Sequence, residues 1–363
     1  MTPGAIAMRG VARGLLQSLL AAIVATLLVG GGLLLAGRAP LAVLTTLVTG
    51  ALADPYRIAE ALGRSCPLLL CGLAVAVAFR AQAWNIGVEG QYLLGAIAAT
   101  AIGVNVIDAP GTLLIPTMLA AGAAAGTIWA LPAALLEIRR GVPLVLGTIL
   151  LNFVAVGLVS YLTQGPLRGS DPSAAQSDPI ASQAFIPALV RATDLHAGVP
   201  LAFGIAIVLW ILLGWSTPGF AVRVTGSNPI AAAWMGIRVP RVQLGVMAIS
   251  GALGGLAGAM QIAAVNHLLN IQASEGFGYV GIAVALLGRL HPLGVAVAAV
   301  LIGLLDVGAA AVERRPQLAV PSDIAQVIKG VVILTVVVFA SPRWRAWRIP
   351  WPWRRAEPAG GAA

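Results

Sequence analysis

The sequence predicts an all-α polytopic membrane protein with about ten transmembrane helices. Of its 363 residues, 59% are hydrophobic and only 10% are charged, which is more apolar surface than a soluble protein could bury. A helix needs about 20 apolar residues to cross the hydrocarbon layer. Ten segments approach that length, the eighth being the shortest: 14–36, 61–79, 88–107, 113–136, 142–163, 199–215, 242–263, 276–289, 291–312 and 322–340.

These spans divide the chain into a transmembrane domain, 14–340, and two terminal regions. Residues 1–13 form a cytoplasmic N terminus. Residues 341–363 form a cytoplasmic tail in which Trp is interleaved with Arg. This pattern is typical of an interfacial membrane anchor, and a partner-binding tail is the alternative.

Three further segments lie outside the predicted spans. The apolar run 40–53 is short, and we interpret it as an interfacial or re-entrant piece on the outer side. Residues 164–198, rich in Pro, Ser, Asp and Gln, form the longest external loop. Residues 216–241 form a loop on the cytoplasmic side.

Arginine placement predicts the orientation, because cytoplasmic segments of membrane proteins are enriched in basic residues. With the N terminus inside, the inner segments hold thirteen arginines and the outer segments seven. The inner set is Arg9, Arg13, Arg80, Arg139, Arg140, Arg223, Arg238, Arg241, Arg343, Arg345, Arg348, Arg354 and Arg355. Ten spans return the C terminus to the cytoplasm. The formal net charge of +9 then indicates contact with anionic lipid and not with nucleic acid.

Two stretches of the chain echo one another. "NIGVEGQYLLGAIAA" (85–99) and "NIQASEGFGYVGIAVALLG" (270–288) both place Asn-Ile before Glu-Gly, then Gly, an aromatic residue and small apolar residues. In the predicted topology the first enters the membrane from inside and the second from outside. We therefore hypothesise inverted-topology repeats, in which broken helices meet at a substrate pathway.

Carboxylates stand at the start of both echoing stretches, at Glu89 and Glu275. A charge at membrane depth is costly and usually faces the bundle interior or a water-filled cavity. One interpretation makes them groups of a translocation path, together with Asn85 and Gln91. The other makes each a helix-start carboxylate that faces free backbone N–H groups.

Asp306 and Lys329 lie at similar predicted depth in the last two spans. We interpret them as a structural ion pair that joins two helices, and a proton relay is the alternative.

Cys66 and Cys71 are interpreted as buried packing residues, because their spacing fits neither a redox pair nor a metal site.

Motifs for catalysis, metal binding and nucleotide binding are missing from the sequence. His267 and His291 have no third ligand at metal spacing, so no metal site is expected. There is no Gly-Lys-Ser/Thr phosphate-binding loop, since the only lysine, Lys329, is followed by Gly-Val. The chain is therefore expected to be neither an enzyme nor an ATP-binding protein by itself.

The cytoplasmic loop contains a short predicted helix. Asn228 can cap it, Pro229 suits its first position, and Gly236 stops it. Two turns are too short to be stable alone in water, so the helix must be held against something. Trp234 and Met235 are unusually apolar for such a loop. They favour docking into a partner protein, and packing on the chain's own bundle is the alternative.

Five stretches resemble a known family. "FRAQAWNIGVEGQYLLGA" is similar to the "FNIGVEGQ" signature of ABC-importer permeases in the branched-chain amino acid/ribose permease superfamily, specifically the purine-nucleoside (guanosine-type) subgroup served by a BMP-type lipoprotein. The other four also resemble it: "DPYRIAEALGRSCPLLLCGLAVAVAFRAQ", "GTILLNFVAVGLVSYL", "GSNPIAAAWMGI" and "EGFGYVGIAVALLGRLHPLG". The resemblance runs from about residue 50 to 340.

The resemblance implies the permease subunit of an importer in a bacterial plasma (inner) membrane. It implies three partners: an ABC ATPase that binds the ATP, a second homologous permease, and an external substrate-binding lipoprotein. Phe277 is assigned to the substrate pathway, because its ring, like those of Trp84 and Tyr279, offers a face on which a base can stack, and a membrane-interface anchor is the alternative. Contact with the ATPase would be made by Asn228, Pro229, Ala231, Trp234, Met235 and Gly236.

Two other functions compete with this interpretation. An ion-coupled secondary transporter would use Glu89, Glu275 or Asp306 as proton sites. A membrane-embedded transferase would need a catalytic constellation that the sequence does not contain. The substrate of an importer could be a nucleoside, a free purine or a sugar.

Overall fold

The structure is a computed structural model that describes residues 23–107, 109–171, 174–318 and 321, and eight single positions between 324 and 338. Twelve α-helices and no β-strand occur in residues 23–318 of this described part. The helices are α1 (Ile23–Leu35), α2 (Pro40–Leu52), α3 (Pro55–Phe79), α4 (Val88–Asn105), α5 (Gly111–Arg140), α6 (Leu144–Gln164), α7 (Gly198–Trp215), α8 (Thr217–Ser227), α9 (Pro229–Trp234), α10 (Val239–Gln261), α11 (Phe277–Leu287) and α12 (Pro292–Glu313).

Six helices in the described residues are long and apolar enough to cross a membrane. They are α3, α5, α6, α7, α12, and α10 with the π-helical turn Ile262–Asn266 that continues it. The predicted count of about ten is therefore not confirmed. The first and last predicted spans, 14–36 and 322–340, are described only in part, and α4 has 18 residues but includes Glu89, Gln91 and Asn105.

The eighth predicted span, 276–289, is a half-length helix. α11 has 11 residues, which at 1.5 Å per residue extend about 16 Å, roughly half of the hydrocarbon layer. A non-helical segment, 267–276, precedes it.

The segment 40–53, expected to be interfacial or re-entrant, forms the regular helix α2. This helix packs against α12, where Gly50 faces Ala311 and Gly308 faces Leu47.

The connections between helices gather at two ends of the bundle. One end, which we call the hook end, holds residues 80–87, 141–143, 216–238 and 288–291. The other end, the loop end, holds 106–107, 109–110, 165–171, 174–197 and the start of segment 267–276. Helices α8 and α9 together form a protrusion at the hook end, which we call the hook (residues 217–236).

Each echoing stretch belongs to a group of three helices, α3–α5 in one half of the bundle and α10–α12 in the other. The helices of these two halves pack on one another in an exchanged order. α10 packs against α4 and α5, whereas α3 packs against α11 and α12. Each half runs in the order long helix, irregular segment, helix, helix, so the first helix of one half lies against the second and third helices of the other. Such an exchange is expected when two similar halves are related by a pseudo-two-fold axis.

Glycines allow the closest of these crossings. α10 meets α5 where Gly126, Gly251 and Gly255 face one another, and a Cβ on Gly255 would overlap the carbonyl oxygen of Gly122. Small residues at helix interfaces bring backbones together and supply van der Waals packing where the hydrophobic effect between helices is weak.

We predict that Gly255→Val lowers the thermal stability of the purified protein in detergent, because the larger side chain forces α10 away from α5. The expected cost is about 1–3 kcal/mol. Gly204→Val on α7 is the matched control, since a Cβ at Gly204 meets no atom within 4 Å. Equal melting temperatures for the two variants would contradict this account of the crossing.

Candidate functional site

The first component of the site is the non-helical segment between α3 and α4, residues 80–87, which we call the joint. Asn85 in the joint is fully buried. Its Nδ2 donates to Ser250 Oγ of α10 at 2.8 Å, and its Oδ1 accepts from the Gly87 N–H at 2.8 Å. Ser250 Oγ donates in turn to the carbonyl of Ala74 at 2.7 Å. One asparagine therefore connects the joint with α10, which is itself bonded to α3.

α6 supplies further partners of the joint and of the first turn of α4. Asn152 accepts from the Gly90 N–H at 2.9 Å through Oδ1 and donates to the Ile86 carbonyl at 2.9 Å through Nδ2. Thr148 Oγ1 accepts from the Ile86 N–H at 3.3 Å. These side chains provide the hydrogen bonds that a helical backbone would have made for itself.

Glu89 joins the two echoing stretches directly. It is 4% exposed, in the first turn of α4, and its carboxylate accepts from the Gly278 N–H at 2.9 Å and from the Ser274 hydroxyl. Gly278 is the second residue of α11. Glu89 thus provides an acceptor for a free N–H group at the start of another helix, a favourable position for a carboxylate.

The five predicted pathway residues divide into two groups. Asn85, Glu89 and Gln91 are buried and hydrogen-bonded to one another or to neighbouring helices, including Asn85 Nδ2 to Gln91 Oε1 at 3.2 Å. Glu275 and Phe277 instead line a cavity. The first group holds the backbone of two irregular segments together, and the second group forms part of a cavity wall.

The cavity lies in the loop-end half of the bundle, where α11 begins. It has a volume of about 60 Å³. Besides Glu275 and Phe277, it is lined by Gln261 and Val265 from the end of α10, by Gly63, Arg64 and Pro67 of α3, and by Asp194. The lining thus combines a phenyl ring, which suits an apolar ring, with an amide and charged groups, which suit hydroxyl groups, in a cavity smaller than the roughly 300–1,000 Å³ of a typical ligand pocket.

Sequence reasoning did not identify Arg64 and Asp194 as cavity residues. Asp194 lies in the external loop, and its backbone carbonyl packs so closely on Gly63 that a Cβ at Gly63 would overlap it. Arg64 also lies within 4.0 Å of Glu60. A glycine before Arg64 is a weak signal of such a contact, and nothing in the local sequence indicates the partner.

The loop between α6 and α7, which the sequence predicts to be external, folds against the segment that precedes α11. Backbone N–H groups of Ser177 and Ile180 donate to the carbonyls of Leu269 and His267, each at 2.8 Å. His196 in this loop is 2% exposed, and burial lowers its pKa to about 4, so at neutral pH it is uncharged and its Nδ1 accepts from the Gly198 N–H at 3.1 Å. The loop is an ordered wall of the loop end.

The hook forms the last component of the site. Asn228 caps α9, as predicted, because its Oδ1 accepts from the N–H groups of Ile230 and Ala231 at 3.0 Å each. Gly236 follows α9 with a φ of 81°, a backbone conformation that suits glycine. The helix itself is Pro229–Trp234, close to the predicted two turns.

The apolar side chains of the hook point away from the bundle. Ile230, Trp234 and Met235 are 72%, 88% and 62% exposed, whereas Ala232 is buried. Ile230 and Trp234 also border an open apolar cleft of about 600 Å³ between α9 and the start of α10. Trp234 and Met235 therefore do not pack on the part of the bundle that the structure describes.

Other residues named from the sequence have simpler surroundings. Cys66 and Cys71 are buried free thiols in α3, with Cys66 Sγ 3.3 Å from Met260 Sδ, which agrees with a packing role. Asp306 is half-buried in α12, and Lys329 lies outside the described residues, so their ion pair stays a prediction. The tail, 341–363, and residues 1–13 also lie outside them.

Comparison with known proteins gives consistent results. The family described as branched-chain amino acid transport system / permease component matches residues 57–337. The guanosine ABC transporter permease protein NupP of Bacillus subtilis is 34% identical over 295 residues, 80% of this chain and 84% of the relative. The glucose ABC transporter permease protein TsgB13 of Haloferax volcanii is 33% identical over 326 residues, 87% and 85% of the two chains. The nucleoside ABC transporter permease protein NupB of Lactococcus lactis is 29% identical over 329 residues, 88% and 90% of the two chains.

We predict that Glu89→Ala destabilises the protein by about 2–3 kcal/mol, because it leaves the Gly278 N–H and the Ser274 hydroxyl buried without their acceptor. The melting temperature in detergent measures the effect. Glu275→Ala is the matched control, since it removes the equivalent carboxylate of the other stretch from an exposed position. If the two variants melt at the same temperature, Glu89 does not hold α4 and α11 together.

Proposed function

The chain belongs to the branched-chain amino acid transport system permease family, and from this premise we propose that it is the transmembrane permease subunit of an ATP-driven importer for nucleosides or related ribose-containing or simple-sugar solutes. The structural observation that carries the proposal is the exposed apolar hook, at the end of the bundle opposite the cavity.

The proposed substrate class rests on the relatives and on the cavity. The relatives are named for guanosine, nucleosides and glucose. In this chain, Phe277 offers an aromatic ring, while Gln261, Asp194 and Glu275 offer hydrogen-bonding groups for hydroxyls. A nucleoside combines a flat ring with a hydroxyl-rich sugar, so it uses both kinds of group, whereas a simple sugar uses chiefly the polar ones.

The proposed partners follow from what the chain lacks and what it exposes. The sequence has no phosphate-binding loop, so the ATP is bound by a separate ABC ATPase. The contact with that ATPase is made by the hook, with Asn228, Pro229 and Ala231 shaping α9 and Trp234, Met235 and Gly236 at its end. A second homologous permease completes the membrane part, and an external lipoprotein delivers the substrate.

The proposed topology places the hook end in the cytoplasm and the loop end outside. The protein is a multi-pass membrane protein, and the finer assignment is to a bacterial plasma (inner) membrane with both termini in the cytoplasm. The support is the arginine distribution, the ordered external loop above the cavity, and the hook at the other end.

The proposed mechanism is alternating access driven from the hook. Nucleotide binding and hydrolysis in the partner would move the hook, and the two halves of the bundle would rock about the place where α4 and α11 meet. The exchanged packing of α3 and α10 supports an inverted-repeat arrangement of the halves. Asn85, Glu89 and Gln91 act in this mechanism as the hydrogen-bonded pivot, and Glu275 and Phe277 act on the solute.

The experiment that tests this function is uptake into proteoliposomes that contain the permease pair and the ATPase, with the lipoprotein added outside. Radiolabelled guanosine and glucose are the two probes. We expect ATP-dependent uptake that survives a protonophore and disappears when the catalytic residue of the ATPase is replaced. Uptake that needs no ATPase and collapses with the protonophore would instead establish the ion-coupled alternative, with Glu89, Glu275 or Asp306 as its candidate proton site.

A second prediction concerns the hook. Trp234→Ala should weaken binding of the purified ATPase about 30-fold, because a large exposed aromatic residue at a docking surface commonly contributes 2 kcal/mol or more. Uptake should fall with it. Tyr56→Ala is the control, since Tyr56 is also highly exposed, at 62%, but begins α3 away from the hook. Unchanged ATPase affinity of the Trp234 variant would count against hook docking.

A further inference from the structure

We propose that Gln82 is a positioning residue that couples the hook to the cavity through the joint. This inference rests on the proposed function, because it concerns how movement of an ATPase-bound hook reaches the substrate. It assigns a role to a residue that neither the sequence motifs nor the cavity identified.

The hook is seated on the joint at one point. Gln82 Nε2 donates a hydrogen bond of 2.9 Å to the carbonyl of Gly226, in the last turn of α8 and two residues before the Asn228 cap of α9. The backbones also touch there, because a Cβ on Gly226 would overlap the carbonyl oxygen of Arg80. A shift of α9 therefore acts on the joint at Arg80 and Gln82.

α8 also makes contacts that do not involve the joint. Its first turn packs on the end of α7, where Gly219 faces Leu212 and Leu213, and Arg223 donates to the Leu213 carbonyl. These contacts keep the hook attached to α7, the helix that precedes it in the chain. Among the described residues, the Gln82 bond is a side-chain hydrogen bond that links the hook directly to the joint.

The backbone of the joint directs Gln82 toward the hook. Gln82 has a φ of 58°, in the left-handed region, which is unfavourable for a residue with a Cβ. Its neighbours Ala81 and Ala83 are buried, at 0% and 1% exposure, whereas Gln82 itself is exposed. The buried residues Ala81 and Ala83 thus fix the joint on both sides of the exposed Gln82 side chain. A displacement of that side chain therefore acts on the backbone of both buried residues.

The joint leads from Gln82 to the cavity through buried hydrogen bonds. Asn85 binds the Gly87 N–H at the start of α4, and Glu89, two residues further on, accepts from the N–H of Gly278 in α11. The residues just before Gly278 include Glu275 and Phe277, which line the cavity. Each step is either a short stretch of backbone or a hydrogen bond, so a change at Gln82 has a continuous physical route to the cavity wall.

Two variants separate the hydrogen bond from the backbone contact. Gln82→Asn keeps a residue that tolerates the left-handed conformation but shortens the side chain so that it no longer reaches Gly226. Gly226→Ala keeps the hydrogen-bonding groups but introduces a Cβ where the Arg80 carbonyl lies. The matched controls are Gln164→Asn, which shortens an exposed glutamine bonded to Ser160, and Gly245→Ala, where a Cβ meets nothing within 4 Å.

The measurement is the number of guanosine or glucose molecules imported per ATP hydrolysed by the complete reconstituted complex. We expect this ratio to fall about threefold to tenfold for Gln82→Asn, and further for Gly226→Ala, with ATPase co-purification and the hydrolysis rate retained. The two controls should keep the wild-type ratio. A merely structural role would lower uptake and hydrolysis together and leave the ratio unchanged, and that result would overturn the proposal.

A labelling experiment measures the transmission itself. The native cysteines Cys66 and Cys71 are 1% and 0% exposed, so a cysteine in Glu275→Cys reports the cavity to an externally added maleimide, with the parent protein as background. Its labelling rate should differ between the nucleotide-free and vanadate-trapped complex, and Gln82→Asn should remove that difference. A difference that persists in Gln82→Asn would overturn the inference while the importer function stands, whereas a wild-type complex without ATP-driven uptake would overturn both.

Discussion

Backbone polar groups inside a membrane protein must find hydrogen-bond partners within the protein, because the hydrocarbon offers none. This constraint falls here on the two irregular segments, 80–87 and 267–276, that precede α4 and α11. Asn85, Asn152 and Glu89 meet much of it, since each binds backbone N–H groups of these segments or of the helix starts that follow them. The irregular backbone therefore requires these three polar residues inside the bundle, and that requirement explains why they are buried.

The same constraint explains why α4 and α11 meet. A helix that begins inside the bundle has unsatisfied N–H groups in its first turn. Placing Glu89 of α4 against Gly278 of α11 satisfies one of them with a carboxylate and brings the two echoing stretches into contact. Glycine at Gly278 is needed for this approach, because a Cβ there would overlap the backbone of Glu89. The cavity lies next to this contact, because Glu275 and Phe277, which line it, lie just before Gly278 in the chain.

In the hook, in contrast, the backbone is satisfied and the large apolar side chains are exposed. Its large apolar residues are exposed although Asn228 caps the N terminus of α9, so among the described residues the surface of the hook, and not its backbone, lacks a partner. In the proposed importer the ATPase covers that surface. In this proposal the pivot formed by Asn85, Glu89 and Gln91 stays rigid. The contacts that form and break lie at the two ends of the bundle, with the solute at the loop end and the ATPase at the hook end.

Local features of the sequence were sufficient for much of this architecture. Hydropathy located the long helices, such as α3 and α5, because a span depends on the composition of about 20 consecutive residues. The Asn228-Pro229 start and Gly236 stop of the hook helix were readable for the same reason. The length of α11, the acceptance of Gly278 N–H by Glu89 and the bond from Gln82 to Gly226 could not be read locally, since the last two join residues 189 and 144 positions apart. Such contacts depend on how whole helices pack against one another, and only the folded chain brings those residues within hydrogen-bonding distance.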